Sequence, residues 1–175
     1  IKVGYVDLDT SHPQSFYDLF EEIGGVDISA VYDSGDVHPE GYAESFAGDH
    51  NIPHVVENIK DMAGKVDGAL ILGVDWDAHL ERARTLLEAG IPVFIDKPVF
   101  GKPEDGYELE RIASLNSTPL MGGSSTRYDS NVIDLVREIE DWSDIDSAFA
   151  SGPFDFFYYG THVIELVETV FEDKV

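Results

Sequence analysis

The sequence contains no cysteine, few basic residues and no long apolar run, and each absence excludes a class of protein. Without cysteine there can be no disulfide, thiolate metal site or cysteine nucleophile. Lys and Arg number 11 against 35 Asp and Glu, and the resulting formal charge of −24 argues against nucleic acid as a partner. The longest apolar run, Gly68–Val74, is strand-sized, whereas a membrane helix needs roughly 18 to 20 residues. No membrane association is therefore expected.

The composition also indicates where the protein works. The absence of cysteine, and of a leader pattern at Ile1, favours a reducing cytoplasm. The acidic excess is spread along the whole chain, which is typical of proteins in molar salt, where a Debye length of about 3 Å screens self-repulsion. We therefore predict a halophilic protein, with simple solubility as the alternative explanation of the charge.

Apolar runs of strand length alternate with segments of helical spacing up to about residue 122. The predicted strands are Lys2–Val6, Asp27–Tyr32, Pro53–Val56, Gly68–Leu72, Pro92–Ile95 and Pro119–Met121. The predicted helices are Pro13–Ile23, Pro39–Asp49, Asn58–Ala63, Ala78–Ala89 and Pro103–Leu115. The alternation predicts an α/β fold with a doubly wound, Rossmann-type parallel sheet, and ligands at the carboxyl ends of its strands.

Residues 123–175 differ from the rest and predict a short, incomplete α+β second region, the beginning of a substrate or oligomerisation domain. The predicted elements are helix Ser130–Ile139, strand Ser147–Ser151, a strand-like aromatic run at 154–159 and helix Thr161–Phe171. An aromatic strand buries one face on the first domain and exposes the other. We therefore expect a homodimer through residues 145–171.

The first turn between a strand and a helix lacks the glycines of a dinucleotide-binding site. In the run GYVDLDTSHP, which starts at Gly4, the three positions of the GxGxxG fingerprint are occupied by Asp7, Asp9 and His12. The following helix can still begin at Ser11 or His12, and its free amides can hold an anion. Simple turn and cap formation is the alternative role of these residues.

The same turn suggests a second chemistry. A buried strand that ends in Asp-x-Asp resembles the first motif of haloacid-dehalogenase-like phosphatases, in which Asp7 would be the nucleophile and Asp9 the acid/base around Mg²⁺. Asp75 and Asp77 would supply the later acidic motif. No Ser or Thr ends the appropriate strand, so the match is incomplete.

The turn after the fifth strand carries a lysine where ligands bind in such sheets. Asp96, Lys97 and Pro98 follow the strand directly, and Lys97 can orient a substrate hydroxyl or assist a proton transfer. A solvated loop lysine is the alternative. Because the chain has so few basic residues, the functional interpretation is favoured.

Five segments together resemble one known family. They are Asp77–Arg84, Leu86–Gly90, Val93–Pro103, Gly122–Tyr128 and Tyr159–Leu166. They are similar to the Gfo/Idh/MocA family of nicotinamide-dependent oxidoreductases of sugars and cyclitols, whose Glu-Lys-Pro tripeptide corresponds to Asp96-Lys97-Pro98. The resemblance spans most of the chain, and its motifs are specific only in combination.

The resemblance implies roles for individual residues. Lys97 would position the reacting hydroxyl and His162 would be the acid/base, while Asp33 would accept hydrogen bonds from the adenosine ribose, which favours NAD over NADP. The implied cofactor contacts are Asp9, Ser11, His12, Asp33, Gly73, His79 and Asp96. The family's Asp four residues before the His is Tyr158 here, with Asp155 as the nearest substitute.

Other roles stay open at this stage. A non-catalytic nucleotide-binding or regulatory protein of the same fold is the main alternative to the oxidoreductase. His79 can also brace the loop after the fourth strand, and His162 can be a packed helix histidine. His38, His50 and His54 show no metal-ligand spacing, and no metal site is predicted outside the phosphatase alternative. The family's second domain needs over a hundred further residues, so the sequence predicts either a fragment or a short member.

Overall fold

A computed structural model describes residues 1–139, 142, 145, 147–153 and 156–171, with backbone only at 157 and 158. The chain divides into two compact units, Ile1–Gly122 and Gly123–Val175. None of the helices in these described ranges is long and apolar enough to cross a membrane.

Strands and helices alternate through the first unit, as the sequence predicts. The strands are β1 (Lys2–Val6), β2 (Asp27–Tyr32), β3 (His54–Val55), β4 (Gly68–Ile71), β5 (Val93–Asp96) and β6 (Leu120–Gly123). The helices are α1 (His12–Ile23), α2 (Tyr42–Asp49), α3 (His79–Glu88) and α4 (Pro103–Asn116), with a short 3₁₀ helix at Ile59–Met62. Helix α2 begins three residues after Pro39 because Gly41 adopts a left-handed φ of 88°.

The six strands form one sheet in the order β3-β2-β1-β4-β5-β6. β1 pairs in parallel with β2 on one side and with β4 on the other, and β4 pairs in parallel with β5. The predicted doubly wound parallel sheet is confirmed. Strand order reverses between β1 and β4, and the carboxyl ends of the strands at such a reversal border the usual ligand crevice.

Two apolar clusters cover opposite faces of the sheet. Alternation along β1 sends Tyr5 into one cluster and Val6 into the other, and both side chains are fully buried. The same alternation at the end of β4 places Ile71 with Val6, and the next residue, Leu72, with Tyr5. Because β1 is buried on both faces from Val3 to Val6, it is a continuous apolar run, which made it recognisable in the sequence.

The second unit differs from prediction at two places. Helix α5 (Ser130–Glu138) lies where it was expected, after a 3₁₀ turn at Ser125–Tyr128. The predicted strand Ser147–Ser151 is wrong, because these residues form no strand and residues 147–149 are exposed. No strand among the described residues pairs with this segment, and local β propensity alone does not produce a strand.

The aromatic run is helical rather than a strand. Helix α6 spans Phe156–Phe171, so it begins five residues before the predicted Thr161. Phe154 and Asp155 lie outside the described residues. The apolar positions continue at helical spacing through Tyr159, Val163 and Leu166 to Val170, and this longer period prevails over the aromatic preference for strands.

Candidate active site

Asp7 follows β1 directly and has a backbone conformation that glycine usually adopts. Its φ is +64°, in the left-handed region, which Asp adopts more readily than most residues. Its N–H donates to the Tyr32 carbonyl at 2.8 Å, and its Oδ1 accepts the Ser34 N–H at 3.2 Å. The side chain is fully buried. The turn therefore keeps the backbone path of a glycine turn, with an inward-facing carboxylate.

Arg82 is the partner of this carboxylate and was missed by sequence reasoning. Its Nε lies 2.9 Å from Asp7 Oδ2, and the side chain itself is nearly buried on α3. A second carboxylate, Asp36, lies 3.8 Å from the guanidinium. Burial raises the pKa of Asp7 to about 6, although the Arg82 charge opposes the shift. His79 and Arg82 are spaced i, i+3 on α3. A basic residue on the buried face of a helix is the sequence feature that could have identified Arg82.

Asp9 connects the first turn to the loop after β4. Its Oδ2 accepts the Val74 N–H at 3.0 Å. The preceding residue, Gly73, packs so closely that an added Cβ would lie 2.8 Å from Asp7 Oδ2 and 3.1 Å from an Arg82 nitrogen. A glycine is required at position 73 because the ion pair leaves no space for a side chain.

The N-terminus of α1 has few free amides for an anion. Ser11 is the N-cap residue, without a side-chain cap bond. The His12 N–H donates to Thr10 Oγ1 at 3.0 Å, Pro13 has no N–H, and the Ser15 N–H donates to the Ser11 carbonyl. This end of α1 is therefore a weaker anion site than a helix start usually offers.

Two side chains join this turn to neighbouring strands. Asp33, half-buried after β2, accepts the Leu8 N–H through Oδ1 at 3.3 Å. His12 Nδ1 is in hydrogen-bond contact with Asp96 Oδ2 at the end of β5. The first unit thus gathers Asp9, His12, Asp33 and Asp96 at the carboxyl ends of β1, β2 and β5.

His79 braces two loops. The side chain is fully buried, with Nε2 3.1 Å from the Gly73 carbonyl oxygen and Nδ1 3.3 Å from the Val99 carbonyl oxygen. Burial lowers its pKa, which favours the neutral ring. This geometry matches the bracing alternative. Lys97 lies in the loop held at Val99 and is half-buried directly after β5.

The second unit places His162 in a network of hydroxyl groups. His162 lies on α6, and its Nδ1 is 2.5 Å from Ser124 Oγ. Ser124 Oγ is 2.8 Å from Thr126 Oγ1, which donates to the His162 carbonyl oxygen at 3.4 Å. Sequence reasoning identified His162 but neither hydroxyl. Ser124 and Thr126 lie in the Gly122–Tyr128 segment, which the family resemblance had already marked.

The two predicted catalytic residues therefore belong to different units, Lys97 to the first and His162 to the second. Tyr158 stands at the position of the family's aspartate, and Asp155 is its nearest substitute. The Tyr158 side chain and Asp155 lie outside the described residues.

The geometry does not favour the phosphatase alternative. Asp7, its nucleophile, has no exposed surface and pairs with Arg82. Asp75 and Asp77 are exposed, and the Asp75 carboxylate accepts the Asp77 N–H at 3.1 Å, as in an ordinary turn. Across the ranges that the structure describes, no three His, Asp or Glu side chains are grouped to hold a metal ion.

Sheet order, the crossover at β1 and β4 and the polar side chains at their carboxyl ends define a dinucleotide-binding class of α/β fold. Residues 3–123 match the model of the Gfo/Idh/MocA oxidoreductase family, with its NAD-binding Rossmann fold. The chain belongs to this family, and the resemblance inferred from its motifs is confirmed. Comparison with curated proteins finds no match.

Solved structures share the fold at low sequence identity. A probable dehydrogenase from Thermotoga maritima is 16% identical with a TM-score of 0.75, over 97% of this chain and 55% of that one. A myo-inositol 2-dehydrogenase from Lactobacillus plantarum is 21% identical with a TM-score of 0.68, over 84% and 42%. A biliverdin reductase from Synechocystis sp. PCC 6803, in complex with biliverdin and NADP⁺, is 16% identical with a TM-score of 0.65, over 79% and 42%. The chain thus spans about half, or less, of these proteins' lengths.

Proposed function

We propose that this chain carries the cofactor domain, residues 1–122, and the start of the substrate domain, residues 123–175, of an NAD-dependent oxidoreductase. Its substrate would be a sugar, a cyclitol or a related polyol. The observation that carries the proposal is Lys97 at the carboxyl end of β5, in a chain whose fold and family are those of nicotinamide-dependent enzymes. The myo-inositol dehydrogenase among the similar structures supports the substrate class.

The first turn would receive the dinucleotide without the usual glycines. Asp7 reproduces the glycine backbone conformation, and its carboxylate faces Arg82 inside the protein. The Asp9 carboxylate is held by the Val74 N–H, and the His12 ring by Asp96. Because these side chains are bonded to other protein groups, they leave the backbone of the turn accessible to the cofactor. The turn would bind the pyrophosphate more weakly than a glycine-rich turn.

Each end of the cofactor would contact different residues. Asp33 would accept hydrogen bonds from the adenosine ribose, while Asp9, Ser11 and His12 would border the pyrophosphate and Gly73 would allow close approach of the backbone. Asp96 would contact the cofactor beside Lys97, and His79 would act through the loops that it braces. When bound, the nicotinamide would accept or return the hydride of a substrate carbinol carbon.

The remaining chemistry belongs to two side chains. The Lys97 ammonium would polarise and orient the reacting hydroxyl. His162 would take the hydroxyl proton during oxidation and return it during reduction. From the composition we also propose that the protein is cytoplasmic and works in concentrated salt. All assays should therefore be run in molar KCl.

Calorimetric titration tests the cofactor. NAD⁺ should bind more tightly than NADP⁺, because the Asp33 carboxylate repels a 2′-phosphate, and Mg²⁺ alone should give no heat of binding. An Asp33→Asn variant should reduce the difference in affinity between NAD⁺ and NADP⁺. Asp49→Asn, which removes the same charge at an exposed position at the end of α2, should not. Tighter binding of NADP⁺ would contradict the NAD assignment.

A non-catalytic nucleotide-binding or regulatory role is the second candidate, and one observation favours it. The first amides of α1 are occupied by Thr10 and Ser11 or missing at Pro13, and two carboxylates stand at glycine positions. If neither NAD⁺, NADP⁺ nor their reduced forms bind in molar KCl, this candidate replaces the oxidoreductase.

The protein should also form a homodimer through residues 145–171. Large apolar side chains are exposed in this segment, with 92% of Phe149, 80% of Phe156 and 48% of Ile164 accessible. Sedimentation equilibrium in molar KCl should give twice the 19.4 kDa chain mass, because salt screens the charge and strengthens apolar association. Ile164→Glu should shift the equilibrium to monomer, whereas Leu19→Glu, equally exposed on α1, should not. A wild-type monomer at micromolar concentration would contradict the proposal.

A further inference from the structure

A second cavity in the first unit lies at the amino ends of β1 and β2. Its volume of about 470 Å³ is within the range of small-molecule sites. Lys2 and Asp27, which pair in register where the two strands begin, both border it. Roughly 15 Å of strand separates Lys2 from Asp7, so this cavity is distinct from the candidate active site at the carboxyl ends.

Ser29 is a buried polar residue on the wall of this cavity. It lies in β2 between the buried apolar residues Ile28 and Ala30, and only 5% of its surface is exposed. Among the residues that the structure describes, no group forms a hydrogen bond with its hydroxyl. An almost buried hydroxyl without a partner loses hydrogen bonds to water at a cost in free energy. Because Ser29 borders the cavity, a molecule held there can supply the missing bond.

Four ionisable side chains border the same cavity. They are Lys2 on β1, Glu21 on α1, Asp27 on β2 and His54 on β3. All four are exposed, and within the described ranges none of these side chains forms a hydrogen bond or an ion pair with another residue. The cavity therefore offers a donor at Lys2 and acceptors at Glu21 and Asp27 that the fold itself does not use.

Contacts between α1 and the end of α2 give this cavity a fixed wall. The Tyr17 hydroxyl donates to the His50 carbonyl oxygen at 3.4 Å, and the centres of the two rings lie 4.2 Å apart. The His50 ring also packs on Phe46, with 4.3 Å between ring centres. Asn51, with a left-handed φ of 55°, then turns the chain toward β3. Because these residues are already held in place, a ligand need not order them on binding.

We propose that this cavity binds a neutral polyhydroxy compound, a sugar or a polyol. Carboxylates only accept hydrogen bonds and an ammonium only donates them, whereas each hydroxyl of such a ligand does both. Glu21 and Asp27 would accept from ligand hydroxyls, and Lys2 would donate to them. Ser29 would gain the hydrogen-bond partner that the fold does not supply.

The charges at the cavity favour a neutral ligand over an ion. An anion would meet the carboxylates of Glu21 and Asp27, and a simple cation would meet the Lys2 ammonium. Pro53 adds apolar surface on which the carbon skeleton of a sugar can pack. The site goes beyond the proposed function and does not depend on it, because it shares no residue with the proposed cofactor and catalytic groups.

Binding is measured by ¹H–¹⁵N NMR of the full chain in molar KCl, titrated with myo-inositol as the probe and without nicotinamide. The backbone amide signals of Ser29, Asn51 and His54 should shift in a saturable manner, because these residues border the cavity. The Lys97→Ala variant should show the same shifts. Failure of the oxidoreductase assignment would therefore leave this result unchanged, and absence of the shifts would overturn only the cavity proposal.

Two substitutions test which side chains hold the probe. Ser29→Ala should raise the dissociation constant of myo-inositol about tenfold, the effect of one lost hydrogen bond. Glu21→Ala should raise it by a similar factor, because its carboxylate accepts from the probe. Glu22→Ala, which removes the same charge at the adjacent exposed position of α1, should change it less than about twofold. Because Glu21 is exposed, its variant tests the cavity even where Ser29→Ala alters the packing of β2.

The proposal is wrong if folded Ser29→Ala or Glu21→Ala protein binds myo-inositol as tightly as the wild type. Glycine and inorganic phosphate, titrated in the same way, should give no saturable shift at the cavity amides. Saturation by glycine or phosphate in place of myo-inositol would overturn the polyol as the ligand and make the cavity a zwitterion or anion site.

Discussion

Replacement of Lys97 by alanine should lower the rate of polyol oxidation by about 10²- to 10⁴-fold, the usual contribution of a positioned proton-transfer group. The side chain is half-buried directly after β5, where ligands of this sheet class bind. The loss should appear in kcat more than in KM, because the ammonium acts on the reacting hydroxyl. The measurement is NADH formation from NAD⁺ with myo-inositol as the first probe substrate, in molar KCl.

Lys102→Ala is the matched control for this experiment. Lys102 is an exposed lysine of the same loop, at the start of α4, and its removal should change the rate by less than about twofold. A Lys97→Ala enzyme as active as the Lys102→Ala enzyme would remove Lys97 from the mechanism. If instead Asp7→Asn abolished a Mg²⁺-dependent phosphate release that survived Lys97→Ala, the phosphatase would be the correct assignment.

Apolar periodicity was sufficient to predict the architecture of the first unit. Strands buried on both faces, such as β1 and β4, appear in the sequence as short continuous apolar runs. Their number and their positions along the chain could therefore be predicted. The aromatic run in the second unit was misleading, because Phe and Tyr favour strands but also pack well on a helix face. The apolar residues that continue at helical spacing to Val170 explain why this run is a helix.

The site was less predictable, since its decisive contacts join residues far apart in the chain. Asp7 and Arg82 are separated by 75 positions, and Ser124 and His162 by 38. Local patterns mark Asp7 and His162 as unusual but do not show which basic or hydroxyl group faces them. The sequence also did not show that the Asp7 carboxylate faces inward, because its partner Arg82 lies far away in the chain.

Substitution of Asp7 by asparagine should reveal the cost of holding this carboxylate ionised inside the protein. Burial raises its pKa from 3.8 to about 6, so between these values the folded state holds the proton more tightly than the unfolded state. The free energy of unfolding contributed by Asp7 therefore falls as pH rises through this window, and the loss is complete above the folded pKa. A pKa that rises from 3.8 to about 6 corresponds to roughly 3 kcal/mol of unfolding free energy.

The asparagine variant has no such titration, so the difference in unfolding free energy, variant minus wild type, should become more positive by about 2 kcal/mol between pH 4 and pH 7. Urea unfolding of both full-length proteins at fixed molar KCl measures this difference at each pH. The comparison cancels the titration of the other acidic residues, which both proteins share. Asp49→Asn, an exposed change at the end of α2, should give a difference that stays within about 0.5 kcal/mol across the same range. A flat Asp7→Asn difference would mean that the Arg82 guanidinium fully compensates the desolvation of Asp7, and a falling one that the ion pair stabilises the fold at neutral pH.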